Sequence, residues 1–194
     1  MLMTHEEANR KTKEALAASL KKFMTAKPLK KVTVTEIIAD CNLNRKTFYY
    51  HFEDIYALLK WMLEQEAIEV VKQFDLLIDY HDAIIFVMDY VEANTHILNC
   101  AYDSLGREEM KKFFYRDFLE IIKTVIDGTE KALRVCVAKD FKLFLCNFYT
   151  EALAGMLIDW IKNRTDKNRK LTIEYLDLII CVTIPEVLKK APRR

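Results

Sequence analysis

Turn-forming residues are nearly missing from this chain: three glycines and three prolines stand among 194 residues, about 3% where average proteins carry roughly 12%. Strands joined by tight turns draw heavily on both, glycine for positive φ and proline for a preset φ. A sheet-rich fold is therefore excluded and an all-α fold expected. The spacing of apolar residues agrees. Leu16, Leu20 and Phe23 fall at intervals of 4 and 3 within residues 4–26, and Lys27-Pro28 closes that first helix. Longer helices are expected over about 55–78, 82–101, 107–127 and 130–163, the last broken near Lys139. A polar surface loop over 162–170 precedes a final helix over about 172–189, which Pro185 kinks or ends.

The shortest elements carry the most chemistry. Thr33-Val34-Thr35-Glu36 has the form of a capping box, in which Thr33 and Glu36 satisfy each other's orphan amides at a helix start. That helix runs to Asp40 or Cys41, and Asn42 stands where the chain leaves it, asparagine being one of the few residues besides glycine that tolerate a left-handed backbone. Asn44 caps a third helix over 45–51, with Phe48 and Phe52 on one face and Leu43 beneath them. Arg45, Lys46, Thr47, Tyr49, Tyr50 and His51 are left for other faces.

Two short helices joined by a four-residue turn, the second basic and aromatic outside its two-phenylalanine core, describe a helix-turn-helix with an exposed recognition helix. Arginine and lysine reach the O6 and N7 edge of guanine, whereas hydroxyls, histidine and helix N-terminal amides serve phosphate oxygens. On that chemistry Arg45, Lys46 and Tyr50 are candidates for base edges. Thr33, Thr35, Thr47, Tyr49 and His51 are candidates for phosphates, with the capping Asn44 among the DNA-facing residues. For Tyr49 and His51 a ring packed on the first helix is the alternative. Charge points the same way: residues 1–51 hold ten Lys/Arg against five Asp/Glu, +5, while 52–194 hold 20 against 24, −4. A small basic module joined to a larger, mildly acidic body is the charge layout of a DNA-binding head with a sensing or pairing body.

Thr33-Val34-Thr35-Glu36-Ile37-Ile38-Ala39 followed by Asn42-Leu43-Asn44-Arg45-Lys46-Thr47-Phe48-Tyr49-Tyr50-His51-Phe52 closely resembles the DNA-binding region of TetR/AcrR-family transcriptional regulators. Thr12-Lys13-Glu14-Ala15-Leu16 with Phe23 looks like that family's first helix, and the resemblance covers residues 10–63. It implies a three-helix DNA-binding head over 1–54, a helical ligand-binding and dimerisation body over 55–194, and a homodimer formed through the last two long helices. Lys27-Pro28-Leu29, the recognition segment, Asp54-Ile55-Tyr56 and Trp61 together resemble the subgroup that contains dihydroxyacetone-kinase regulators. Departures from the family pattern keep the turn but change the reading surface. Asn42 stands for a glycine and Asn44 for a serine cap, Lys46 replaces a common glycine, and Ile55 replaces a lysine whose phosphate contact is not carried over.

In the body, Phe86, Tyr90, His96, Cys100, Tyr102, Phe114, Phe118, Tyr149 and Trp160 supply aromatic walls and polar handles for a ligand pocket, or simply core. His96 and Cys100 sit four apart without a third or fourth ligand at metal spacing, so no metal and no cofactor are expected. Phe141, Leu145, Phe148, Ala152 and Gly155 form a stripe that, with Leu176 and Ile180 of the apolar final helix, reads as a dimer seam, or as an internal face of a monomer.

No nucleophile–base–orienter set and no phosphate-cradling glycine loop is present, so an enzyme is not expected. Met1-Leu2-Met3-Thr4-His5-Glu6-Glu7 carries acid where a signal peptide carries a basic region. The longest unbroken apolar run, Ala83–Met88, falls far short of the ~18 residues that span a bilayer. A cytoplasmic protein without membrane contact follows. Five cysteines without a C-x-x-C pair fit reduced thiols. The function expected is a DNA-binding transcriptional regulator, a repressor on a near-palindromic double-stranded operator, bound as a homodimer and controlled by a small-molecule or protein effector. An activator, or an interaction module controlled by a docked metabolic protein, is the alternative.

Overall fold

The computed structural model describes residues 4–76, 79–163 and 168–193. The fold is all-α, its one β pairing among the described residues being an isolated antiparallel bridge between Val137 and Arg193. Helix α1, His5–Ala26, begins in a capping box of Thr4 and Glu7. A 3-10 turn, Leu29–Lys31, carries the chain past Pro28 into α2, Val34–Asp40, and then α3, Arg45–His51. Helix α4, Ile55–Leu63, leads into a π-helical turn, Glu64–Ile68, and the short α5, Glu69–Val71. Beyond these come α6, Tyr80–Ala93, α7, Thr95–Leu133, and α8, Lys139–Lys162. The chain ends in α9, Arg169–Leu178, a π turn, Ile179–Thr183, and α10, Ile184–Lys190.

By compactness the chain up to Glu69 groups with Asn94–Gly106, and Val70–Ala93 groups with the chain from Arg107 onward. In the first unit α1 packs on α2 and α4, and α2 on α3, around the fully buried Leu16, Leu20, Ile37, Phe48, Leu58 and Leu59. In the second, Ile122, Ile126, Leu145, Tyr149, Ile184 and Leu188 form a core on which Phe141 and Ile180 pack. Gly106, at φ 78, interrupts α7 where the two groupings meet in sequence, a left-handed conformation that suits a residue without a Cβ.

Several long elements differ from the sequence expectation, each for a local reason. The helix expected over 55–78 loses α-helical register at the π turn 64–68 and ends at Val71; Leu77 and Ile78 lie outside the described residues. The helix expected over 82–101 stops at Ala93 and a new one starts at Thr95. Gly128 breaks nothing, since α7 runs through it to Leu133. The chain turns at Arg134, φ 53, before α8 starts at Lys139. The final helix leaves α-helical register in the π turn Ile179–Thr183 directly before Pro185, which stands in the first turn of α10. Residues 164–167 of the expected loop lie outside the described residues.

By length and composition α8 is apolar enough to cross a membrane, with a mean hydropathy of 1.3 over its most apolar window. An unbroken-run criterion misses this because Asn147, Thr150, Glu151 and Gly155 interrupt the apolar residues. Much of α8 is buried, including Leu145, Tyr149, Ala154 and Ile158, while Phe144 and Phe148 are exposed.

The start of α2 bears an acid-sensitive contact. Glu36 accepts from the Thr33 N–H at 2.9 Å and pairs with Lys27 Nζ at 2.5 Å. The Lys27 ammonium first, then the two Thr33 hydrogen bonds, lower its pKa from 4.5 to about 2. A depressed carboxylate stabilises the fold fully above its ordinary pKa of 4.5, and that contribution is lost as pH falls toward about 2. Glu36→Gln keeps the reciprocal cap but not the charge. In thermal melts between pH 5 and 2.5, the wild type is therefore expected to lose more melting temperature on acidification than the variant; parallel losses would show that the pair contributes nothing.

Candidate functional site

The turn between α2 and α3 takes the form that its sequence requires. Asn42 has φ 54, Leu43 N–H donates to Ile38 O at 2.8 Å, and Asn42 N–H donates to Ala39 O at 3.3 Å, closing the end of α2. Asn44 Oδ1 then accepts from the Thr47 N–H at 2.9 Å and the Thr47 hydroxyl at 3.1 Å, so α3 starts at Arg45. Phe48 is fully buried, its ring 6.2 Å from Phe52 and 5.4 Å from Tyr49. Phe48 is thus the buried anchor of α3, and Arg45, Lys46, Tyr49 and Tyr50 are left exposed.

Arg45, Lys46, Tyr49 and Tyr50 are exposed, Tyr50 at 70%, and Thr47 is half-buried behind its cap. Thr33 and Thr35 are exposed at the start of α2. Tyr49 does more than offer a hydroxyl. The Arg45 guanidinium lies 5.7 Å from its ring centroid, and Arg45 Nη2 donates to its phenolic oxygen at 3.4 Å, so the tyrosine steadies the arginine along the helix surface. The Arg-x-x-x-Tyr spacing was the signal for this pair, and reading each residue singly passes over it.

His51 is half-buried, its ring edge-on to Tyr50 at 4.9 Å. Burial first, then Lys13 on α1, pushes its pKa below 6.5, so at neutral pH the ring is uncharged and offers one N–H. Lys13 itself sits 5.9 Å from the Phe52 ring and 5.8 Å from the Trp61 ring, binding α1 to α3 and α4 by cation–π contact. Sequence reasoning also passed over Lys30 and Lys31, two exposed cations just ahead of the α2 N-terminus. What the arrangement can do is grip a polyanion at two helix starts and present an arginine, a lysine and a tyrosine from a rigid short helix.

In the second unit a cavity of about 300 Å³ opens between α6, α7, α8 and α9. Of the sequence-predicted pocket residues, Phe118 and Trp160 line it. Phe114 stacks on Phe118, with ring centroids 6.0 Å apart, and Phe86 stacks on Tyr90 at 6.5 Å; none of those three partners lines the cavity. Tyr149 is buried and hydrogen-bonded to the Thr183 hydroxyl at 2.7 Å. His96, Cys100 and Tyr102 belong to the first unit. There Cys100 Sγ accepts from the Leu29 N–H at 3.1 Å, and burial raises its thiol pKa. Apart from Tyr80, Thr172, Met88 and Met156, the rest of the wall is aliphatic, including Ala83, Ile84, Val87, Ile121 and Val125. In sequence such residues read like any core, which is why the aromatic count missed them.

The expected seam divides. Phe148 is 55% exposed and Ala152 is exposed, whereas Leu145 points into the core and Phe141 packs on it. Leu176 and Ile180 line the cavity, and Gly155 is half-buried. Phe141, Phe144 and Phe148 form a ring stack with spacings of 6.4 and 6.2 Å.

A family model, TetR_C_8, described as a transcriptional regulator C-terminal region, matches residues 79–180, more than half of the chain. The chain belongs to the TetR family of transcriptional regulators. The "HTH-type dhaKLM operon transcriptional activator DhaS" of Lactococcus lactis subsp. lactis (strain IL1403) is 20% identical to this regulator over 169 residues. That match covers 87% of this chain and 89% of the relative. A solved structure, "Dihydroxyacetone kinase operon activator DhaS", superposes with a TM-score of 0.67 at 18% identity, covering 93% of this chain and 97% of that one. The regulator thus shares its fold with DhaS and, like its relatives, is classed with proteins that control transcription rather than with enzymes.

Proposed function

We propose that this regulator binds a near-palindromic duplex operator as a cytoplasmic homodimer, through a head formed by residues 1–54, and that an effector in the body over 55–194 changes its hold on DNA. The observation that carries the reading is the capped, Phe48-anchored α3 with Arg45, Lys46, Tyr49 and Tyr50 turned to solvent. Arg45, Lys46 and Tyr50 read bases, while Thr33, Thr35, Asn44, Thr47, Tyr49 and His51 hold phosphate or set the helix start. A two-fold pair of such heads reads half-sites one helical turn apart, about 34 Å. Selection of duplex fragments at about 150 mM salt, followed by footprinting, tests this: a protected two-fold site is expected, and uniform weak binding to all fragments would overturn it.

Arg45→Ala is expected to cost about 1–3 kcal/mol against the selected site and to relax preference at the base pair it reads. Equal affinity in a titration would remove Arg45 from the reading surface. Occupancy of a promoter represses by occlusion. Activation is the second reading, favoured because both relatives bear the name of an operon activator. Transcription from the selected promoter in vitro, with and without the protein, gives the sign.

A further inference from the structure

Resting on the effector reading above, we propose that the body cavity takes an uncharged, mainly hydrocarbon molecule of about ten heavy atoms carrying at most one hydrogen-bonding group. Its volume of about 300 Å³ equals that of about ten waters at roughly 30 Å³ each, so a ligand of about that many heavy atoms fills it. None of the eighteen lining residues is charged. A carboxylate, phosphate or ammonium inside would have no counter-charge on the wall, and a buried unpaired charge is strongly disfavoured.

Polar side chains on the wall are few and already occupied. The Tyr80 hydroxyl is hydrogen-bonded to Cys181, and that bond first, then burial, raises its pKa, so it stays a neutral phenol. The Thr172 hydroxyl donates to Asn168 O at 3.1 Å. Trp160, 3% exposed, has an indole N–H with no hydrogen-bond partner among the described residues. That N–H is itself fully buried, so the wall offers a ligand almost no hydrogen-bonding capacity, and a polyol would lose its water without replacement. Met88 and Met156 add flexible thioethers, which adapt to an apolar shape. Voids lined this way stay dry and take apolar guests, because water finds no partners there.

The test uses the full chain and a small neutral fluorescent probe of about eleven heavy atoms, 1-naphthylamine, displaced by 1-decanol, decanoate or glycerol at pH 8. Saturable binding of one probe per chain is expected. 1-Decanol should displace it at a concentration at least tenfold below decanoate, and glycerol should not displace it at millimolar concentration. Ala83→Phe and Leu153→Trp, which fill the cavity from α6 and α8, are each expected to weaken probe binding at least tenfold while retaining helical circular dichroism. Absence of saturable binding, decanoate equal to 1-decanol, or unchanged binding in a folded filled variant would each overturn the proposal. The wild-type competition decides the matter even where a filled variant fails to fold. Footprinting of the same preparation keeps the two readings apart: probe binding without a protected site sinks the regulatory reading alone, and a protected site without probe binding sinks this one alone.

Discussion

Phe48→Ala is expected to unfold the head and abolish protection of the operator while leaving the overall chain helical. The side chain has no exposed surface, and its ring packs within 6.2 Å of Phe52 and 5.4 Å of Tyr49. Truncating a fully buried phenylalanine costs about 3–5 kcal/mol, a large part of the ~5–15 kcal/mol that holds a whole domain together. For a unit of this size each kcal/mol lowers the melting temperature by roughly 4–8 °C, so the head transition should fall by about 12 °C or more. Exposed Tyr50 is the control: Tyr50→Ala should leave the melt within about 0.5 kcal/mol of wild type and still weaken DNA binding. Calorimetry beside footprinting separates the two effects. A Phe48→Ala protein that melts with the wild type would show that α3 is held by something other than this ring.

The head was legible in the sequence because its signals are local. A capping box, a left-handed asparagine, a second cap and two phenylalanines four apart each act within a turn or two of chain. Together they fix α2, the turn and α3 to the residue. The body was legible only as helices. Its break at Gly106 carries a glycine, but those at Asn94 and Arg134 lack the glycine or proline that marks a break in sequence, while Gly128, which does carry such a mark, is absorbed by α7. Tertiary packing outweighs local propensity there. The cavity was the least legible feature, because an isoleucine facing a void and one facing another side chain have the same neighbours in sequence. Trp160 and Phe118 were found as large aromatic residues, and Ala83 and Val125 could not be.

Phe148→Asp is expected to convert the proposed homodimer to monomer without disturbing the protomer. Phe148 is 55% exposed and Phe144 61% exposed on α8, and Leu178 and Val182 near the C-terminus are 61% and 47% exposed. Phe141 and Val182 line the same surface groove, which joins the α8 face to the C-terminal one. In the proposed homodimer a second copy of the same face covers this apolar surface across a two-fold axis. Each buried aromatic anchor of an interface is worth about 2–4 kcal/mol on truncation. In a two-fold interface one substitution acts twice, about 4–8 kcal/mol, or roughly three or more orders of magnitude in the dimer dissociation constant. Leu145 cannot serve for this test, since it is 5% exposed and its loss would damage the core itself. Sedimentation equilibrium at micromolar concentration should show monomer for Phe148→Asp and dimer for the wild type, with operator affinity falling in step because one head alone contacts one half-site. A variant that remains dimeric with unchanged affinity would move the interface off α8.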